Sequence, residues 1–193
     1  MSKTHRAPSS GPAGKQAAAS LLVLLATAVI LWLMGRPPIC TCGRIELWGD
    51  VGPQQSQMLL DWYSFSHVIH GILFYAAGAL LLKKLPVERR LLTATLLESA
   101  WELVENSPVI INRYREATIA LGYRGDSILN SVSDILLMGL GFWLARRLPV
   151  WATVMLVVIL ELIPLAIIRD NLTLNIWMLL APNHAVRHWQ GGA

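Results

Sequence analysis

The chain has 193 residues, 54% of them hydrophobic and 15% charged, with a mean hydropathy of +0.50. That balance lies far from soluble usage and excludes an ordinary water-soluble domain. The net charge of +4 does not mark a nucleic-acid binder, because the basic residues stand at the ends of apolar runs and not along one face.

In chain order, Met1 to Gln16 is rich in Ser, Pro, Gly and Ala and carries Lys3, Arg6 and Lys15, the composition of a disordered tail. Ala17 to Gly35 is long and apolar enough for a first span. It is followed by Trp32-Leu33-Met34-Gly35-Arg36-Pro37-Pro38 and not by a small-residue cleavage site, so the span is expected to stay uncleaved. Ile39 to Asp61 is a loop with turn formers at Gly43, Gly49 and Gly52-Pro53. Cys40 and Cys42 are too few for a disulfide framework and awkwardly close for an unstrained bridge. They read as two small residues in a turn, with metal capture or redox work as the alternative.

A second span is expected from Trp62 to Leu82, and a third from Leu91 to Ile111. The connector between them holds Lys83, Lys84, Glu88, Arg89 and Arg90 around Pro86. Pro108 and the run Asn112 to Glu116 mark the exit of the third span. A fourth begins near Asp126 and ends at Arg146-Arg147, with Gly139 and Gly141 suited to close helix packing. Val150 to Ile168 is a fifth, containing Glu161 and Pro164. Leu172 to Ala181 is too short to cross and reads as an interfacial or re-entrant piece, and His184 and His188 beyond it read as interfacial. The fold class is therefore all-α, a multi-pass transmembrane bundle of about five spans, with residues 17–193 forming one domain. All the lysines (Lys3, Lys15, Lys83, Lys84) fall on one side of this topology, which places the N-terminus on the cytoplasmic side.

The third span carries Glu98, Glu102 and Glu105 at i, i+4 and i+7, so three carboxyls share one helical face. A carboxylate in hydrocarbon costs several kcal/mol unless protonated, paired or metal-bound. Partners are available on other spans: His67 and His70 at i, i+3, and Asp126, Asn130 and Asp134 at i, i+4, i+8. Counting at about 1.5 Å per residue from the basic connectors puts His70, Glu102, Asp134 and Glu161 at one depth. His67, Glu105 and Asn130 come one turn further out, with Glu98 deeper. Histidines and carboxylates from separate helices make His67, His70, Glu102 and Asp134 a candidate ligand set for one divalent transition metal such as zinc. Without metal they form acid/base pairs. Arg113, Arg115 and Arg124, with Tyr114 and Tyr123, stand at the outer edge as a candidate phosphate clamp or as anchors to ordinary lipid phosphates. These features point to a hydrolase or transferase acting on a lipid or lipid-linked head group, with membrane lipids as its surroundings. A proton- or cation-coupled transporter and a purely structural polar network are the rival readings.

Three motifs carry a resemblance: Trp-Glu-Leu-Val-Glu-Asn-Ser-Pro from Trp101, Arg-Tyr-Arg-Glu-Ala-Thr-Ile from Arg113, and Gly-Asp-Ser-Ile-Leu-Asn-Ser-Val-Ser-Asp from Gly125. With Pro38 to Gly43, Asp61 to Tyr63, His67 to Gly71, Arg146 to Thr153 and Arg169 to Leu174, they resemble a family of uncharacterised bacterial integral membrane proteins. The resemblance implies a cell-membrane protein and supplies no mechanism. A weaker one is to VanZ-like membrane proteins, in which Asp61/His67, Glu98/Glu102 and Asp126/Asn130 would correspond. His70, Glu105 and Asp134 depart from that pattern.

Overall fold

The computed structural model describes residues 12–52, 54–118 and 122–192. Among them are eight helices and no strand, with one isolated bridge between Trp48 and Leu60. The helices are α1 (Pro12–Leu33), α2 (Ser64–Leu81), α3 (Val87–Glu105), α4 (Pro108–Ala117), α5 (Ile128–Arg147), α6 (Val150–Ile168), α7 (Leu172–Leu180) and α8 (His184–Gln190). The proposed tail Met1 to Gln16 lies outside the described residues as far as residue 11. Pro12 onward is already helical.

Four helices, α1, α2, α5 and α6, are long and apolar enough to cross a membrane. The helix expected as a fifth span, α3, matches them in length and packs against α1, α2 and α5, but its charged residues leave it less apolar. It also ends earlier than expected. The helix ends at Glu105, and Ser107 caps a separate α4 by accepting from the Ile110 amide, with Pro108 in the first turn. Serine before proline is a helix start, so what reads as one span to Ile111 is two helices. The expected short piece after Asn171 is α7, of nine residues.

Much of the surface is apolar, and the interior holds a polar cluster beside its hydrophobic ones, unlike a soluble domain. Leucine, valine and tryptophan side chains of α1 and α6 are exposed, whereas Asp61, His67, Glu98, Glu102, Asn130 and Asp134 are buried. A lipid solvent accounts for this, since apolar side chains gain nothing there by burial and polar groups must be satisfied internally.

The tightest contact is α2 on α5. A Cβ at Gly71 would collide with the carbonyl oxygen of Met138, and one at Gly141 with that of Val68. Glycine at both places lets the two backbones touch. Of the two glycines singled out on α5, Gly141 serves this contact and Gly139 has open space. The loop between α1 and α2 closes the bundle by capping α5. Ile128 and Leu129 amides donate to the Pro37 and Pro38 carbonyls at 2.8 and 3.1 Å, and Ser127 donates its amide to Ser56 and its hydroxyl to the Gln57 carbonyl, both at 3.0 Å.

Candidate functional site

The α2–α5 contact fixes the height of His67, one turn above Gly71, and α3 supplies what it meets. Nδ1 of His67 lies 2.5 Å from Oε1 of Glu98 and 3.6 Å from Oε1 of Glu102, while Nε2 lies 3.7 Å from Oδ2 of Asp134 on α5. His70 brings its own Nδ1 to 3.1 Å from both oxygens of Glu98. The two imidazoles meet edge to face with centroids 5.3 Å apart. One buried carboxylate thus holds two rings. Hydrogen bonds of this ionic kind are about twice as strong as neutral ones.

Further out, the acids are satisfied by hydroxyls and amides. Tyr114 donates to Glu105 at 3.0 Å, and Tyr123 donates to Asp126 at 2.8 Å. Asn106 donates its Nδ2 to Asp126 and accepts the Asp126 amide on Oδ1, both at 2.7 Å. Burial pushes the Asp126 carboxyl up to about 6, against the hydrogen bonds from Tyr123 and Asn106. Burial and nearby carboxylates also raise Tyr114 and Tyr123 well above their ordinary range, so both remain donors. Asp61 accepts the Tyr63 and Ser64 amides at 2.7 and 3.1 Å, and the Ser64 hydroxyl reaches Asp134 at 3.4 Å.

Glu102 and Asn130 are exceptions. Both carboxylate oxygens of Glu102 and both polar atoms of the Asn130 side chain are buried without a hydrogen-bond partner.

Two cavities meet at His67. One, about 20 Å³, is lined by polar residues, including Asp61, His67, Glu105, Asp126, Asn130 and Asp134. The other, about 250 Å³, has Glu98, His67 and His70 at one side and Phe74, Trp101, Leu172, Ile176 and Leu179 around the rest.

A family model described as a protein of unknown function (DUF2585) matches residues 31–192. The chain belongs to this family. Its curated relatives include UPF0314 proteins of Rhizobium etli, 53% identical over 90% of both chains, and of Paracoccus denitrificans, 56% identical over 88% of this chain and 89% of the relative. A third, from Sphingopyxis alaskensis, is 52% identical over 91% of this chain and 93% of its own. No solved structure matches the chain. The expected family of uncharacterised bacterial proteins is thereby borne out, and the match spans every residue of the site.

In this DUF2585 chain the candidate residues His67, His70, Glu98, Glu102, Glu105, Asp126, Asn130 and Asp134 all lie in or beside one cluster. The expected ligand set is divided, however. Two triplets bring ligand atoms within 4.8 Å of one another, His67/His70/Glu98 and His67/Glu102/Glu105, and neither pairs His70 with Glu102 or Asp134. The reason lies in the connector. Arg90 folds back to donate to the Leu85 and Lys83 carbonyls and packs its side chain on Gly78. Arg90 is therefore level with Gly78 and not with Lys83, which raises α3 relative to α2 and brings Glu98 level with His70.

Glu161 does not join the cluster. Its carboxylate accepts the Leu172 and Thr173 amides at 3.2 Å, serving the start of α7, where a helix N-terminus favours negative charge. Arg113 and Arg115 donate their Nε to the Leu179 and Tyr123 carbonyls, at 2.9 and 2.5 Å, which fixes α4 against its neighbours, while Arg124 is exposed. Cys40 and Cys42 are joined as a disulfide, a pairing that their separation by one residue argued against. The loop contribution was missed in the sequence. Gln57 donates to the Gly125 carbonyl at 2.6 Å, and Gln55, Ser56 and Tyr63 line the small cavity. The left-handed backbone of Ser56 has no signature in the residues around it.

Proposed function

We propose that this family member is a membrane-embedded hydrolase or transferase acting on a lipid or lipid-linked head group, using His67 and Glu98 as its acid/base pair. The observation that carries the reading is the 250 Å³ cavity, apolar over most of its wall and ending on His67, His70 and Glu98. An acyl or prenyl segment fits the apolar part, and a polar head group then faces the imidazoles. Glu98 on Nδ1 orients the His67 ring and stabilises its protonated form after it takes a proton from a hydroxyl or water. Tyr114 and Glu105 on the same cavity wall are further polar contacts for the head group. We place the protein in a bacterial inner membrane, N-terminus cytoplasmic, with the cluster toward the outer leaflet, on the strength of the lysine distribution.

Lipid profiling of a strain lacking the gene tests this reading. A lipid or lipid-linked intermediate should accumulate and return to normal with the wild-type chain, but not with Glu98→Gln. Unchanged lipids together with altered ion tolerance would transfer the cluster to a transport role.

A further inference from the structure

The same bundle holds more negative charge than its acid/base pair needs. Asp61, Glu98, Glu102, Glu105, Asp126 and Asp134 converge within it. Among the described residues the only ion pairs they form are with His67 and His70. Glu102 is wholly buried, and neither of its oxygens has a hydrogen-bond partner. Protonation alone does not relieve this, because a carboxylic acid must still donate its O–H. Asn130, 1% exposed, is orphaned at both ends of its amide. A buried polar atom without a partner costs about 1–3 kcal/mol, more when charged.

We propose that His67, Glu102 and Glu105 bind one divalent first-row cation, with Asn130 and Asp134 as adjoining oxygen donors. One ligand atom from each of the three lies within 4.8 Å of the others. The 20 Å³ cavity lined by His67, Glu105, Asn130 and Asp134 is the size of one water or ion. Glu98 on Nδ1 is the kind of carboxylate partner that a metal-bound imidazole keeps, and it leaves Nε2 on the side of Asp134. The competing triplet of His67, His70 and Glu98 already satisfies its own atoms through three short hydrogen bonds, so it has less need of an ion. An imidazole with carboxylate and amide oxygens suits zinc or manganese rather than a soft thiophilic ion. This inference goes beyond the enzymatic reading, since the ion's place follows from the orphaned groups and not from a substrate. An ion on Nε2 of His67 takes the lone pair that would accept a proton. In the loaded protein the acid/base role therefore falls to His70, which Glu98 holds at 3.1 Å beside the 250 Å³ cavity.

Metal content decides it without any activity assay. Protein purified in detergent without chelator, then offered Zn²⁺ or Mn²⁺ and desalted, should carry close to one ion per chain and melt at a higher temperature than after EDTA. Glu102→Gln should lose the ion and His70→Ala should keep it. Should Glu102→Gln fail to fold, the wild-type melting shift and Asn130→Ala provide the same readout. Folded wild-type protein that takes up neither ion and shows no melting shift overturns the site. Loss of metal in His70→Ala with retention in Glu102→Gln overturns the assignment in favour of the other triplet.

Discussion

The strongest single interaction to perturb is the carboxylate of Glu98, and Glu98→Gln alters its charge while keeping its shape. Glu98 accepts from His67 at 2.5 Å and from His70 at 3.1 Å, wholly out of solvent. Each charged hydrogen bond is worth about 1.5–3 kcal/mol, and glutamine keeps one acceptor oxygen, so the net loss should be roughly 2–4 kcal/mol. Double-mutant cycles with His67→Ala and His70→Ala divide that loss. The His67–Glu98 coupling should be about 1.5–3 kcal/mol, and the His70–Glu98 coupling smaller, about 0.5–1 kcal/mol, because the His70 side chain is 18% exposed and its bonds are longer. Unfolding in mixed dodecyl maltoside and SDS micelles, followed by tryptophan fluorescence, measures both. Additivity of His67→Ala and Glu98→Gln within about 0.5 kcal/mol would refute the pairing.

Gly71→Ala places a Cβ into the Met138 carbonyl and should cost about 1–3 kcal/mol or more by forcing α2 off α5. Gly139→Ala, with open space around it, should be neutral or slightly stabilising in the same assay. Asp170 accepts from Tyr63, Gln190 and the Asn171 amide, and burial raises its carboxyl above the ordinary value of 3.8. A raised folded-state value means that its stabilising contribution is complete at low pH and lost as pH rises from the ordinary value through the folded one. Asp170→Asn should flatten that fall in a series of melts from pH 3 to pH 8, and an unchanged slope would contradict it. Leu179→Trp should fill the apolar cavity and abolish lipid turnover at unchanged thermal stability.

The spans were legible because hydrocarbon selects them by length and composition alone. The acidic stripe of α3 was legible because a period of 3.6 puts i, i+4 and i+7 on one face whatever surrounds the helix. Which acid meets which histidine was not, since a stagger of one turn between α2 and α3 depends on how Arg90 packs against Gly78. Gly71 carried no special signal either, because a close approach needs the partner backbone to be known. The loop from Arg36 to Asp61 contributes through carbonyls, turn geometry and amide side chains, none of which has a periodicity. Glu161 illustrates the same gap. Its position in an apolar helix suggested a member of the cluster, yet the start of α7 lay nearer in space.

The most direct measurement is turnover in liposomes made from extracted bacterial membrane lipid, followed by mass spectrometry. Wild-type protein is predicted to convert at least one lipid or lipid-linked species, and Glu98→Gln, reconstituted at equal folded amount, to convert none. Identical lipid populations with wild-type, variant and empty liposomes would contradict the account and leave the cluster as a packing network.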